Sequence, residues 1–289
     1  MGLAQTATAV GPGTFKGAVL RPLTFAPSDQ PGWWIDRTDL PDQLPVEVSA
    51  NNVWTTARNI VLRAGSPHNY LRMVEHIIAL RIGMGIDDVT IRVADGDPPL
   101  FDESSLPLVT AMNKAQPVEL PRPATFLTVK EPVTFGGTRG DFITLLPAEP
   151  GQRLLRVDCA IDFPSVIGKQ RILFDLTPKT FLIGAGARTN ASHGQMLYCR
   201  TIGKLFADTR NLGYTTNNIL IHGKHRYANP PRFEREPVWH RAVLDLLAAV
   251  ALLRGRLAGM IISYRAGHTQ DVQFITQLLL NNLLEVHHA

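Results

Sequence analysis

The sequence predicts an α+β protein built from two similar halves, and three observations carry that expectation. First, "GAVLRPLTFAPSDQPGWWIDRTDL" and, later, "DFITLLPAEPGQRLLRVDCAIDF" share one rhythm: two strand-like runs about a Pro-containing turn. Second, each is followed downstream by a helical run, a glycine-containing break and a strand, in "MVEHIIALRIGMGIDDVTIRVA" and "HRAVLDLLAAVALLRGRLAGMIISYRAG". Third, "NKAQPVELPRPATF" between them holds three prolines and no apolar period, the mark of a linker. Two α+β domains follow, roughly residues 1–120 and 125–289, each with helices packed on one face of a mainly antiparallel sheet.

With 289 residues, 45% of them hydrophobic, the chain can fill one large core or two ordinary ones. No window of about 18 uninterrupted apolar residues appears, so no integral membrane segment is expected. The opening "MGLAQTATAVGPG" lacks the basic start and apolar core of a signal peptide. Two cysteines, Cys159 and Cys199, make neither a disulfide framework nor a thiolate zinc site, and a reducing cytoplasm is the default compartment. The net charge is +4, with Lys and Arg scattered and few aromatics among them. No nucleic-acid partner is expected, whereas a mildly basic surface suits an anionic small substrate.

The chemistry-bearing residues come in chain order. Glu75 and His76 stand side by side at the head of the helical run "VEHIIALRIG". An acid in the first helical turn favours the dipole and needs no function, so the pair gains meaning only if other ligands exist. His68, His193, His222 and His225 lie in turn-like or strand-edge contexts and read as surface residues; His287 and His288 sit at the chain end. His240 opens "HRAVLDLLAAVALL", where Asp245 is the only carboxylate of an apolar run. Such an aspartate is either on a solvated face or, if buried, paired or metal-bound. His268 follows the strand "GMIIS" beside Gly267 and suits either a turn or a site. Histidines, an aspartate and a glutamate are the parts of a catalytic zinc hydrolase, in which three N/O ligands leave one position for water and a neighbouring glutamate takes its proton.

These residues sit inside longer strings. "GPGTFKG", "TTARNIVL", "VEHIIALRIGMGIDD" and "GDPPLFDESSLPLV" occur in the first half; "CRTIGKLFADTRNLGYTTNNILI", "RFEREPVWHRAVLDLL" and "IISYRAGH" in the second. On them the chain resembles the UDP-3-O-acyl-N-acetylglucosamine deacetylase family, the zinc enzymes of the committed step of lipid A synthesis. The resemblance implies two α+β domains with their helices packed between two sheets. It implies zinc bound by His76, His240 and Asp245, Glu75 as general base, and His268 as the cationic acid. It places Thr201, in "CRTIG", as the hydroxyl that helps hold the tetrahedral oxygen. Arg241 takes the position of a lysine that contacts substrate. The substrate is an acylated UDP-amino sugar, whose acyl chain passes along the insert "IDFPSVIGKQRILFDLTPKTFLIGAGA". The apolar clusters of that insert, Ile172, Leu173 and Phe174 with Phe181, Leu182 and Ile183, are the expected lining.

The departures from the family pattern are specific. Four residues, "RAVL", separate His240 from Asp245 where the family has three. In a regular helix residues five apart diverge by about 140°, so the helix is expected to carry a wide turn with an i→i+5 bond between them. The family aspartate that pairs with the acid histidine falls at Ala249. Phe15 replaces a histidine, Met73 a threonine and Glu103 a glycine. These changes support an alternative: a catalytically weak homologue that binds acylated nucleotide sugar or a protein partner.

Overall fold

In the computed structural model, residues 1–201 and 213–287 are described. Most of "TIGKLFADTRNL", and His288, lie outside the described residues.

Two five-stranded sheets have one topology. The first runs Ala7–Gly13, Gly17–Ala26, Val89–Val93, Trp33–Arg37, Val46–Glu47 across the sheet. The second runs Val133–Gly136, Phe142–Leu146, Gly259–Tyr264, Leu155–Phe163, Gly168–Asp175. In each, the central strand pairs parallel with the third strand in chain order, and every other neighbour is antiparallel. The strand runs matched by rhythm occupy equivalent positions in the two sheets. The reason is visible in the side chains: Trp33–Arg37 in the first sheet and Gly259–Tyr264 in the second alternate buried with half-buried residues, giving each sheet one dry face.

The dry faces meet helices. Helix α1, Glu75–Gly83, buries Ile77, Ile78, Ala79 and Leu80. The Pro117–Val118 part of the proline-rich stretch pairs with Gly2–Leu3 instead of hanging free. Helix α2, Leu106–Lys114, closes the first half. The insert adds α3, Pro178–Ala185, which starts at a Thr177 capping box, and α4, His193–Arg200, follows. Then comes a continuous helical run: α5, Glu236–His240, a π-helical segment Arg241–Leu246, and α6, Leu247–Val250. Every residue of α6 is buried. A helix that is apolar all round is covered on all sides; here α1 and α6 share one core with residues of both sheets, such as Trp33, Ile91, Ile143 and Ile261. Helix α7, His268–Leu280, ends the helical set.

The expected wide turn is present, at Arg241–Leu246. One surplus residue between His240 and Asp245 has been absorbed by π geometry, and the two side chains stay on one face: His240 Nδ1 lies 3.5 Å from Asp245 Oδ1. His222 corrects the surface reading, being buried at the end of the strand Ile219–His222 beside the Phe163 ring.

Candidate active site

Four separate chain segments deliver the site. Helix α1 contributes Glu75 and His76 from its first turn. The α5–π run contributes His240 and Asp245, the first turn of α7 contributes His268, and the strand Thr189–Ser192 contributes Thr189. Several non-glycine residues beside them are forced into the left-handed region: Met73 (φ 52°), Ser104 (φ 57°), Arg235 (φ 59°) and Arg265 (φ 55°). Such strain persists where the surroundings over-determine the backbone, often at functional sites.

His268 Nε2 lies 3.9 Å from Glu75 Oε1 and 3.9 Å from Asp245 Oδ1. Residues almost two hundred positions apart therefore face one another. Glu75 is buried and its Oε2 accepts a hydrogen bond from the Ile60 backbone N–H at 3.0 Å. Burial raises its pKa, against the opposing pull of His268. Burial alone would depress His268, yet Asp245 and Glu75 together lift it. Burial likewise works to raise Asp245, and His240 and His268 hold it well below the usual carboxylate range. His76 is pushed down to about 3 by burial and then by His240, so its ring is neutral.

Thr189 is the residue that reading the sequence missed. Its Oγ1 lies 3.1 Å from His76 Nε2 and 3.0 Å from His240 Nε2. A hydroxyl carries one proton, so it can donate to only one of the rings and accepts from any ring that presents an N–H. The signal was faint: Thr189 stands in "GARTN", at the end of the apolar insert. Thr201, expected here, is not brought to the cluster. It caps the end of α4, exposed, and its hydroxyl donates to the Leu197 carbonyl at 2.7 Å. Among the described residues it makes no hydrogen bond to the site.

Arg241 borders the cluster, but its guanidinium is turned to a partner of its own. Its guanidinium is buried against Asp271 (Nη2 to Oδ1, 2.5 Å), with Nε donating to the Ala266 carbonyl at 2.9 Å. A buried cation requires a partner, and Asp271 takes it inward. Phe181 is fully buried against α1, where a Cβ on Gly83 would overlap its ring. Phe174 is half-buried and stacks on Trp239 with ring centroids 5.0 Å apart. Trp239 in turn lines an open cavity of about 760 Å³ with Ile172, Leu173, Ile183 and Phe233. A second cavity, about 630 Å³, reaches His268 and is walled by Arg58, Arg139 and Arg265.

Two imidazoles, one of them held neutral, and an ionised carboxylate are the donor types of a catalytic zinc centre. Asp245 Oδ1 is buried with no hydrogen-bond partner among the described residues, an acceptor left over for a ligand. The donor chemistry thus fits zinc. The side chains do not already stand as a cage: among the described residues no three of the metal-binding types are gathered as one. Thr189 sits between the two Nε2 atoms, and Asp245 faces the Nδ1 side of His240.

A buried carboxylate of raised pKa beside a histidine of raised pKa, with a neutral imidazole and a cavity reaching the histidine, makes an acid–base centre. The chain belongs to the UDP-3-O-acyl N-acetylglycosamine deacetylase family, whose sequence model matches residues 1–280. It is similar to the UDP-3-O-acyl-N-acetylglucosamine deacetylase of Thermosynechococcus vestitus, 34% identical over 94% of this chain and 90% of the relative. The enzymes of that name from Campylobacter jejuni (29% identical, 92% of this chain, 86% of the relative) and Citrifermentans bemidjiense (27%, 96%, 88%) are similar too.

Proposed function

We propose that this chain is a zinc-dependent N-deacetylase acting on an acylated, N-acetylated UDP-amino sugar of lipid A synthesis, in the cytoplasm. The observation that carries the reading is the convergence of Glu75, Asp245 and His268 within 3.9 Å contacts beside two imidazoles that share one hydroxyl. Family membership and the names of the relatives support the substrate class.

His76, His240 and Asp245 would hold the zinc, which supplies a Lewis acid that polarises the amide carbonyl and acidifies water. Glu75, oriented by the Ile60 N–H and made more basic by burial, takes the proton of the attacking water. His268, kept cationic by two carboxylates, gives its proton to the departing amine nitrogen. Thr189, not Thr201, is our choice for the hydroxyl that steadies the tetrahedral oxygen. The arginine-walled cavity at His268 suits a diphosphate, since guanidinium pairs with phosphate in a fork. The Trp239 cavity, apolar along Ile172, Leu173 and Ile183, suits an acyl chain.

The test is metal analysis joined to product release. The purified chain is expected to carry zinc and to free acetate from the acylated sugar nucleotide. Deletion of one residue from "RAVL" (242–244 with Arg241) restores regular helical spacing; if the π segment already serves zinc, this variant holds no more metal than the parent and turns over no faster. A deletion variant that gains both zinc and turnover identifies the parent as a lapsed enzyme, and the reading fails.

A further inference from the structure

We infer that Arg188 and Glu236 form a clamp that positions the Thr189 hydroxyl between the two site imidazoles. Neither touches the reacting groups; both are positioning residues. The inference deepens the deacetylase reading and rests on it.

Spacing comes first. Glu236 and His240 are four apart on α5 and share a face, one turn from each other. Arg188 and Thr189 are chain neighbours. Glu236 Oε1 accepts from the Arg188 backbone N–H at 2.9 Å and from Arg188 Nε at 2.8 Å, and Oε2 accepts from Arg188 Nη2 at 2.9 Å. One turn along, His240 Nε2 meets Thr189 Oγ1 at 3.0 Å. The helix therefore grips the segment at two successive rungs, and the ionic rung fixes the backbone from which Thr189 projects.

The same carboxylate reaches the other imidazole. Glu236 Oε2 also accepts from the Arg232 backbone N–H at 2.7 Å. The Arg232 guanidinium donates to the carbonyls of Gly186, at 3.1 Å, and of Asp102. Just beyond Asp102, Ser105 Oγ donates to the His76 carbonyl at 2.8 Å. One buried acid thus ties the His240 helix, the Thr189 segment and the loop that backs His76. An ion pair this deep (side chains 5% and 0% exposed) adds little net stability over a packed apolar pair. A forked guanidinium on a carboxylate does fix direction, and direction is what a hydroxyl shared by two rings requires.

The experiment compares the parent with Glu236→Gln, Arg188→Lys and the apolar double variant Arg188→Met/Glu236→Leu. It measures kcat and KM on the N-acetylated sugar nucleotide, urea unfolding, and ¹⁵N imidazole spectra. The expected result for each single variant is kcat lowered about tenfold or more, toward the roughly 10²-fold that a 1 Å misplacement costs, with KM within about threefold. The His76 and His240 ring signals shift and that of exposed His68 does not. The double variant regains parental stability without parental kcat. The inference is overturned if kcat returns together with stability in the double variant, or if the single variants turn over at the parental rate. It is also overturned if no variant folds, because the pair is then only a fold element. A parent with no turnover sinks the deacetylase reading instead; the ring signals of the variants then decide the clamp by themselves.

Discussion

The two ends of helix α1 use charge in opposite ways. At the C-terminal end, Arg81 donates to the Ala251 carbonyl at 2.8 Å. Around it, Arg254 forks onto Glu47 (2.8 and 2.9 Å), Arg256 onto Asp87 (3.0 and 2.7 Å), and Arg122 Nη2 bridges both oxygens of Asp88. Each link joins the first half of the chain to residues beyond 120, and none of these groups is left buried without a partner. At the N-terminal end the cluster around Glu75 leaves Asp245 Oδ1, His268 Nδ1, Asp271 Oδ2 and Arg241 Nη1 buried and unmatched among the described residues. Orphaned buried polar atoms cost about 1–3 kcal/mol each. At one end of the helix the charges meet one another across the two halves of the chain; at the other, buried polar atoms stand unmatched among the described residues.

That contrast can be broken from either end. The largest effect is expected from Glu75→Gln, which keeps the shape beside Ile60 and removes the base: kcat falls about 10²- to 10⁴-fold while the unfolding midpoint stays near the parent's. Steady-state kinetics with thermal melts check it, and undiminished turnover would reduce Glu75 to a helix-start residue. Next comes Thr189→Val, expected to cost about 10²- to 10³-fold in kcat, as for a lost oxyanion donor. Thr201→Val serves as its control and should leave kcat within about twofold, because among the described residues its hydroxyl only back-bonds to Leu197. The reverse ordering in the same assay would return the role to Thr201.

At the ionic end the expected effects are on stability alone. Arg81→Met leaves the Ala251 carbonyl unmatched and lowers unfolding free energy by about 1–3 kcal/mol, read by urea denaturation, with kcat per folded molecule unchanged. The smallest effect is in pH. Burial opposes ionisation of Asp87, but Arg256 and the N-terminal ammonium hold its folded pKa below the ordinary value. A depressed folded pKa adds stability that is complete above the unfolded value of about 3.9 and drains away as pH falls through the lower folded value. Asp87→Asn should therefore be less stable than the parent at pH 7, and the gap should narrow as pH is lowered below about 4. A gap that is constant with pH would show that packing, not charge, holds this seam.

Some of this was legible in the residues. The α+β class followed from period and punctuation, which are local properties: alternating apolar runs make half-buried strands wherever they sit. The wide turn was legible too, because a single surplus residue between His240 and Asp245 is a statement about angle, and helix geometry converts count into angle. Thr201 was chosen for its motif surroundings, and the structure puts a different threonine between the imidazoles. No local pattern could have preferred Thr189, whose contacts lie 113 residues away at His76 and 51 away at His240. Phe174 and Phe181 looked alike as apolar residues flanking "DLTPK"; Phe174 packs on the Trp239 ring, whereas Phe181 fills the core against the Gly83 surface of α1, far upstream.

The sequence by itself determined the elements, the helical surplus and the supply of acid, base and imidazole groups, since these depend on neighbours within a turn or a strand. Only the tertiary structure decided which groups meet. Arg241 was drawn inward by Asp271, Thr189 was brought to two rings by the Arg188–Glu236 pair, and α1 was given one end whose charges are paired and another where buried polar atoms stand unmatched among the described residues. A buried charge must take whichever partner the packed chain presents, and that choice is made in space, between segments whose order along the chain carries no record of the distance between them.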